Sequence, residues 1–330
     1  MRIKIKAISA YTPENEINNQ ELAGMIQYNG AGVSSMMVER TLGTKKRRFA
    51  AQHEQVSDLA VKAAQPILEQ FSKEKIDFLI FASACSDLIE PATSNIIQRK
   101  LGVKCPCIDL KNACNSAVSG IHIASGMIQA GIYENVLILS GEKLSDSIQF
   151  SPDSVDQLKL NFPSYSFGDA GTAILLGKSE DESGFYYQNF MNAGEHWELC
   201  TIKGGGSMFP HDISKNYFEG QTTELRKVIL DKATKFVNAC MKEANWSPDE
   251  LDHLFTHQVS PQTFIDVTSS TGIDINKCIN IFDEYGNTAA CSIPLSVWRA
   301  EQEGRLKKGD KIAIIGLAAG ISISLQLAIW

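Results

Sequence analysis

The sequence lacks the features that would send the chain to a membrane or out of the cell. No apolar stretch has the roughly 20 uninterrupted residues of a membrane-spanning helix. The best candidate, residues 312–330, contains two glycines and alternates like a strand. Residues 1–6 alternate in polarity and lack the apolar core of a signal peptide. We therefore expect a cytoplasmic protein without a membrane span, whose eight cysteines are reduced thiols.

An excess of positive charge is also missing. Lysine and arginine number 31 against 38 acidic residues, which gives a formal charge of -7. A protein that binds nucleic-acid phosphates would carry a basic surplus, so we expect no nucleic-acid partner. Cys105 and Cys107 are two positions apart in the sequence, but no second Cys or His pair has the spacing of metal ligands. We therefore expect no metal site.

The predicted secondary structure occurs twice along the chain in the same order. Apolar runs and glycine caps predict alternating strands and helices at residues 77–82, 93–100, 107–110, 115–130 and 136–141. The same order returns at residues 252–256, 263–270, 278–281, 287–303 and 311–316. Cys114 and Asn287 lie in corresponding loops of the two series. We therefore predict an α/β chain of two related halves that bring these loops together at a pseudo-twofold axis.

The segment before the second series has a helical pattern. Apolar residues recur at helical spacing between Thr223 and Asn245, which indicates a long helix packed on the core. Residues 247–250 have the composition of a capped helix start, with serine first, proline next and two acids behind it.

Cys114 stands between a predicted strand and a predicted helix. The positive end of the helix dipole and unpaired backbone N–H groups would both favour the thiolate, which is the nucleophilic form. Its small neighbours would let a substrate approach closely. A single cysteine at such a junction is also typical of a buried apolar residue, and the other cysteines fit that interpretation.

His257 and Asn287 favour the catalytic interpretation of Cys114. His257 directly follows a strand, at the carboxyl end where open α/β folds bind ligands. Asn287 lies in a Gly-Asn turn at the start of a predicted helix. An asparagine amide and a neutral imidazole can both donate hydrogen bonds to one developing oxyanion. Together the three side chains indicate a site that handles thioesters.

Short motifs along nearly the whole chain make the sequence resemble β-ketoacyl-acyl-carrier-protein synthases of the third class, within the thiolase superfamily. The motifs are Asn-Ala-Cys at 112–114, Phe-Gly-Asp-Ala-Gly-Thr-Ala at 167–173, Thr-His-Gln at 256–258, Tyr-Gly-Asn-Thr at 285–288 and Gly-Leu-Ala-Ala-Gly at 316–320. The resemblance implies a thiolase-like five-layered α/β/α/β/α fold, with halves at residues 1–178 and 179–330. It also implies a homodimer that acts on coenzyme A or acyl-carrier-protein thioesters and needs no metal or redox cofactor.

The resemblance also assigns roles to residues. Cys114 would accept the acyl group, and the backbone N–H groups of Cys114 and Ala319 would bind the first oxyanion. His257 and Asn287 would hold the second thioester while carbon dioxide leaves. Arg40 matches an arginine that contacts coenzyme A.

The chain departs from this family at several positions. Met36 or Met37 replaces a tryptophan that stacks on the coenzyme A adenine. Gln262 stands where an arginine docks the acyl carrier protein, so docking would fall to the basic residues 45–48 or be weaker. Residues 45–48 could equally be a solvated loop.

Glu90 replaces an apolar ring of the housekeeping enzymes. In the resembling family the loop before the following proline crosses the dimer interface and lines the acyl pocket of the partner. A carboxylate there could remove an α-proton from an acyl thioester and form the carbanion without loss of carbon dioxide.

Three functions therefore stay open at this point. The first is decarboxylative condensation of a Cys-bound acyl group with a malonyl thioester, in fatty acid or polyketide synthesis. The second joins two acyl thioesters into a specialised or long-chain product, with Glu90 as the base. The third is a non-catalytic subunit of a heterodimer, which would be expected to lack part of the Cys114, His257 and Asn287 set.

Overall fold

The computed structural model describes residues 2–28 and 31–330 and contains two sheets with matching strand orders. The strands are β1 (Ile3–Tyr11), β2 (Asn15–Asn18), β3 (Gln27–Tyr28), β4 (Ala31–Gly32), β5 (Lys46–Phe49), β6 (Phe78–Ala82), β7 (Cys107–Leu110), β8 (Asn135–Glu142), β9 (Ala170–Lys178), β10 (Gly184–Asn192), β11 (Cys200–Ile202), β12 (Phe218–Gly220), β13 (His253–Thr256), β14 (Lys311–Ala318) and β15 (Ser322–Ile329). The first sheet has the order β1-β9-β8-β6-β7 and the second has the order β10-β15-β14-β13.

The pairing directions of the two sheets also correspond. Strands β6 and β8 are parallel in the first sheet, as β13 and β14 are in the second. Strands β9 and β15 join their sheets antiparallel. The first sheet ends in β7, whereas the second has only a single bridge between Leu254 and Cys278 at that place. The repeat that the sequence predicts is therefore present, with one strand reduced to a bridge.

The helices pack on the sheets in alternating layers. They are α1 (Asn19–Met25), α2 (Ser35–Leu42), α3 (Val56–Gln70), α4 (Thr93–Leu101), α5 (Ser116–Gln129), α6 (Val155–Asn161), α7 (Thr222–Glu243), α8 (Pro261–Thr271), α9 (Phe282–Tyr285) and α10 (Ser292–Gln302). Helices α5 and α10 lie between the two sheets in one core cluster. Helices α3 and α4 cover the outer face of the first sheet, and α7 and α8 cover that of the second. This is the five-layered arrangement that the resemblance implies.

Two central strands of the first sheet are buried along their whole length. Every residue of β6 and β8 is buried, because helices cover both faces of the sheet and no side chain is left to face water. Among the described residues, no helix is long and apolar enough to span a bilayer.

Two expectations for the second half are wrong in detail. Residues 278–281 do not form a strand, because Ile281 already has helical backbone angles as the N-cap of α9. Residues 247–250 form one tight turn and not a longer helix. The expected serine cap is present there, but β13 starts at His253 and leaves no room for further turns.

A smaller cap of helices and hairpins covers the end of the first sheet where Cys114 lies. It comprises α1, α2, α6, the β2–β5 pair and the β11–β12 hairpin. Its core contains Leu22, Val38, Phe162 and Tyr165, and Cys114 packs against this cluster. The cap therefore forms one wall around the sulfur atom.

Two glycines allow α3 to approach the first sheet closely. A Cβ atom at Gly171 would lie 2.1 Å from the carbonyl oxygen of Leu59, and one at Gly141 would lie 2.0 Å from that of Val56. Both oxygens belong to helical backbone, which cannot turn aside as a flexible side chain can. Gly171 is part of the 167–173 motif, and this close contact explains why a glycine stands at that position.

We predict that Gly171→Ala lowers the free energy of unfolding by ~1–3 kcal/mol, because the added methyl group must push α3 away from β9. Gly126→Ala in α5 is the matched control, since a Cβ there meets no atom within 4 Å. It should leave stability unchanged or raise it by ~0.5–1 kcal/mol, the helix preference of alanine over glycine. Urea unfolding midpoints compare the two, and equal midpoints would contradict the packing argument.

Candidate active site

The loop before α5 presents Cys114 in a tight turn. Ala113 has a positive φ of 47°, which reverses the backbone immediately before the cysteine. The Ser116 hydroxyl donates to the Ala113 carbonyl at 2.7 Å and accepts from the Asn112 N–H at 2.8 Å. This turn leaves the Cys114 side chain half-buried at the N-terminus of α5.

Asn115 fastens this loop to the second half of the chain. Its side-chain NH₂ donates to the Ser322 hydroxyl at 3.1 Å, and its carbonyl oxygen accepts from the Ser324 hydroxyl at 3.0 Å. Asn112 adds a third bond to Ser322 at 3.0 Å. Ser322 begins β15 directly after the turn that contains Ala319. The two segments expected to supply backbone oxyanion donors are therefore held side by side.

His257 follows β13 with its backbone fixed and its ring nitrogens unpaired. Its N–H donates to the Ile315 carbonyl at 3.2 Å. The next residue, Gln258, is fully buried and binds the Ile279 carbonyl and the Ile281 N–H through its side chain. Within the described part of the chain, neither ring nitrogen of His257 has a hydrogen-bond partner, although the residue is only 4% exposed. A buried unpaired imidazole can bind a substrate oxygen without first giving up another contact.

Asn287 is held so that its amide nitrogen can donate. Its side-chain oxygen accepts from the Ala289 N–H at 2.9 Å. Its own N–H donates to the Ser166 carbonyl at 2.8 Å, and its carbonyl accepts from the Gly168 N–H at 3.0 Å. These bonds tie Asn287 to the 167–173 motif. Ala289 belongs to the same cluster that Cys114 contacts, so the two loops meet.

The electrostatics of the site are dominated by burial. Burial raises the pKa of the Cys114 thiol, and the neighbouring Cys200 and Glu142 raise it further. Removal of the sulfur from water therefore opposes the helix N-terminus, which was expected to favour the thiolate. Burial also lowers the pKa of His257 to about 4, which keeps its imidazole neutral near pH 7.

Glu142 is a buried acid beside Cys114 that the sequence analysis missed. It is fully buried at the end of β8 and accepts from the backbone N–H groups of Ala84 and Cys85 at 2.8 and 3.2 Å. Burial raises the pKa of its carboxyl group, and these bonds oppose the shift. The sequence signal that could have found it is an acid at the end of the strand that contains the apolar run 136–139.

The remaining predicted residues lie at the surface of this single chain. Glu90 is exposed in the loop between β6 and α4. Arg40 is exposed on α2, where Met36 and Met37 are also open to solvent. Gln262 donates to Asp266 at 3.0 Å, in the place where the family has a docking arginine.

Residues 45–48 are neither a solvated loop nor a free basic patch. Three of them form ion pairs: Lys45 with Asp283 at 3.1 Å, Lys46 with Glu16 at 2.9 Å, and Arg48 with Glu16 at 2.7 Å. Arg47 is completely buried, with Asn19 and the Ile17 carbonyl as its partners. Most of this segment is strand β5, and three of its four charges have an acidic neighbour.

Comparison with known sequences agrees with this geometry. Residues 108–194 match the family described as 3-oxoacyl-[acyl-carrier-protein (ACP)] synthase III, and residues 241–330 match its C-terminal part. Together the matches cover more than half of the chain. The chain is similar to the β-ketoacyl-[acyl-carrier-protein] synthase III of Fusobacterium nucleatum, with 26% identity over 99% of this chain and 98% of that protein. The enzyme of Desulfitobacterium hafniense has 29% identity over 99% and 98%.

Solved structures with the same fold come from two groups of enzymes. A histidine-to-asparagine variant of Xanthomonas campestris OleA superposes with a TM-score of 0.90 and 26% identity, covering 100% of this chain and 99% of that one. The 3-oxoacyl-[acyl-carrier-protein] synthase III of Aquifex aeolicus has a TM-score of 0.86 and 25% identity, covering 99% of this chain and 100% of that one. A cysteine-to-serine OleA variant with bound lauric acid and lauroyl-CoA has a TM-score of 0.87 and 26% identity, covering 100% of this chain and 99% of that one. The thiolase-like fold expected from the sequence is thereby confirmed.

We predict that the His257 imidazole titrates near pH 4 and not near 6.5, because burial disfavours its charged form. The unfolded chain would bind this proton near pH 6.5. The stability that His257 contributes is therefore present above pH 6.5 and is lost as the pH falls toward 4. The imidazole NMR signal that disappears in His257→Ala reports the midpoint. A midpoint above pH 6 would contradict the neutral donor.

Proposed function

Because the chain belongs to the 3-oxoacyl-[acyl-carrier-protein] synthase III family of condensing enzymes, an acyltransferase family, we propose that it joins a Cys114-bound acyl group to a malonyl thioester by decarboxylative Claisen condensation. The observation that carries this proposal is the junction of the Cys114 loop with the second half through Asn115, Ser322 and Ser324. That junction ties the Cys114 loop to β15, and β15 pairs with β14, whose Ile315 carbonyl accepts from the His257 N–H. These contacts support a shared site for the thiol and the two proposed oxyanion donors, His257 and Asn287.

In the first half-reaction Cys114 takes the acyl group from a coenzyme A or carrier-protein thioester. The sulfur attacks the thioester carbonyl, the oxygen becomes an oxyanion at the Cys114 and Ala319 N–H groups, and the donor thiol leaves. One thiol loses a proton and another gains one, so the exchange needs no net proton release. The raised pKa of Cys114 is compatible with such an exchange, in which the thiolate need not accumulate.

In the second half-reaction the malonyl thioester binds with its carbonyl oxygen at His257 and Asn287. The bond to the carboxylate breaks, carbon dioxide leaves, and the electron pair forms an enolate whose oxygen accepts both hydrogen bonds. The enolate carbon then attacks the Cys114 thioester, and the Cys114 thiolate leaves. The neutral state of His257 suits this role, because a neutral imidazole donates without delivering its proton.

The proposal also assigns the outer parts of the site. Arg40 on α2 would contact the coenzyme A of the acyl donor, and its exposed position leaves it free to do so. Two copies of the chain would form the working homodimer, and an acyl carrier protein would present the second thioester. Because residues 45–48 are paired or buried, carrier docking would use other surfaces of the cap.

We predict that substitutions separate the two half-reactions. Cys114→Ala should lose acylation entirely, because alanine has no sulfur to attack the thioester carbonyl. His257→Ala and Asn287→Ala should still be acylated but should condense ~10²–10³-fold more slowly, the typical loss of one oxyanion donor. Intact mass after incubation with a panel of acyl thioesters measures loading, and single-turnover product formation measures condensation.

Cys107→Ala, which removes another half-buried thiol, is the control and should load and condense normally. Undiminished acylation of Cys114→Ala, or wild-type condensation by His257→Ala, would overturn the corresponding role.

A second candidate function rests on Glu90 and on the OleA similarity. The OleA structures include variants in which a cysteine, a histidine or a glutamate is replaced, and one holds lauroyl-CoA. The same residue types occur here as Cys114, His257 and Glu90. In this alternative the Glu90 carboxylate of one subunit removes an α-proton from a second acyl thioester at the site of its partner, and the resulting enolate attacks the acylated Cys114. No carbon dioxide is released.

We predict for this alternative that Glu90→Gln is acylated by lauroyl-CoA as fast as the wild type but loses ~10²–10⁴ in self-condensation of lauroyl chains, because the amide cannot accept the α-proton. Condensation with a malonyl thioester should persist. Glu180→Gln, at an exposed acid in the turn after β9, is the matched control. If the wild type condenses only malonyl thioesters, or Glu90→Gln joins lauroyl chains normally, the decarboxylative reaction stands alone.

A further inference from the structure

The loop between β6 and α4, residues 83–92, has a firmly bonded base and an exposed tip. At the tip, Leu88 is 52% and Ile89 84% exposed, and Glu90 follows them. Large apolar side chains this open on a single chain are expected to be covered in an assembly. Until it is covered, the tip can be kept in place only by contacts of the loop with its own subunit.

Asp87 connects this loop to the N-terminus of α3. Its carboxylate accepts from the Ser57 N–H at 3.1 Å and from the Ser57 hydroxyl at 2.5 Å. The backbone N–H of Asp87 donates to the Thr93 hydroxyl at 3.0 Å. The negative charge lies at the positive end of a 15-residue helix, which favours it there.

Lys100 completes the connection from α4. Its ammonium group donates to the Ser57 hydroxyl at 2.7 Å and to the Asp58 carboxylate at 2.6 Å. An ammonium group can only donate and a carboxylate can only accept. The single proton of the Ser57 hydroxyl must therefore point at Asp87, so Lys100, Ser57 and Asp87 form a directed chain of charge-assisted bonds. Ser57 is fully buried, which shields both bonds from water.

Two further carboxylates hold the ends of the loop. Glu142 accepts from the N–H groups of Ala84 and Cys85 at its start. Asp109 accepts from the N–H groups of Thr93 and Ser94 at its end, at 2.8 and 2.7 Å. The Asp87 connection lies between them and is the contact nearest to the tip, three residues before Glu90.

We propose that Asp87, Ser57 and Lys100 are positioning residues that hold the loop tip ready to enter the active site of the partner subunit. This inference rests on the proposed placement of Glu90 at the Cys114 of the partner. A tip fixed in advance loses little conformational freedom when it docks, and its carboxylate arrives in one geometry. The three residues touch no substrate and act through the backbone between Asp87 and Glu90.

The first test removes single bonds from the chain of contacts. Ser57→Ala should slow carbon–carbon bond formation about 10-fold and Asp87→Asn about 10- to 100-fold, the usual effects of one neutral and one charged hydrogen bond. The rate of Cys114 acylation should change by less than about 2-fold, because the substituted loop serves the condensation step at the site of the other subunit. Lys100→Arg should retain more activity than Lys100→Met, since only arginine can still donate.

Asp58→Asn is the matched control, because it removes the other carboxylate that Lys100 contacts and leaves Asp87 untouched. Hydrogen exchange of residues 84–92 gives a readout independent of the reaction. It should accelerate in Ser57→Ala and Asp87→Asn and stay unchanged in Asp58→Asn. Condensation is assayed as self-condensation of lauroyl chains, the reaction that uses Glu90, and a wild type that condenses only malonyl thioesters would overturn the inference.

The second test uses mixed dimers purified through two different affinity tags. One subunit carries Cys114→Ala and the other carries Asp87→Asn. The single intact Cys114 then faces the intact loop of the Cys114→Ala subunit, so condensation should return to about half of the wild-type rate. The same mixture with Glu90→Gln in place of Asp87→Asn tests the second candidate function, in which Glu90 serves the Cys114 of the partner.

The outcomes distinguish a failure of the positioning role of Asp87 from a failure of the placement of Glu90 at the partner subunit. Recovery with Glu90→Gln but not with Asp87→Asn overturns the positioning role alone. Failure of both mixtures overturns the placement of the loop at the partner, and with it the inference. Normal condensation or unchanged hydrogen exchange in the Asp87→Asn homodimer also overturns the positioning role.

Discussion

The buried hydrogen bonds of Asn115 join the two halves of the molecule beside the proposed nucleophile, Cys114. The Asn115 amide is inaccessible to water and binds the hydroxyl groups of Ser322 and Ser324 at the start of strand β15. Gly316 makes room for it, since a Cβ at that position would lie 1.9 Å from the Asn115 side-chain oxygen. An unpaired buried amide would cost ~1–3 kcal/mol, so the halves can approach only in the register that satisfies it. The positions of Cys114 and of the turn at Ala319 both follow from that register.

Removal from water sets the chemical state of the groups that this register brings together. Burial keeps the thiol of Cys114 protonated, keeps His257 neutral and raises the pKa of Glu142. A neutral thiol and a neutral imidazole suit thioester exchange and enolate formation, in which charge develops on an oxygen only transiently. Donors that are fixed before the reaction stabilise such a charge without having to reorient. The bonds that fix the backbones of His257 and Asn287 provide this fixed arrangement.

The sequence predicts the parts of this arrangement that depend on local pattern. Strands 107–110 and 136–141 and the helices near 93–100 and 115–130 are found within a residue or two, because apolar runs and glycine caps are local signals. The raised pKa of Cys114 could not be predicted, because a helix N-terminus can be read from the sequence whereas the depth of burial cannot. Glu142 was missed for the same reason: its partners at Ala84 and Cys85 are distant in sequence and meet it only in the folded sheet.

The paired charges of residues 45–48 illustrate the same limit. A run of four cations predicts an exposed patch when each residue is judged by its own character. In the fold, the alternation of strand β5 sends Arg47 inward, where it is completely buried, and its neighbours pair with Glu16 and Asp283. The bonds of Asp87 to Ser57 likewise join a loop to a helix 30 positions earlier. Such contacts decide which charges remain available for partners, and they exist only after the sheets and helices have assembled.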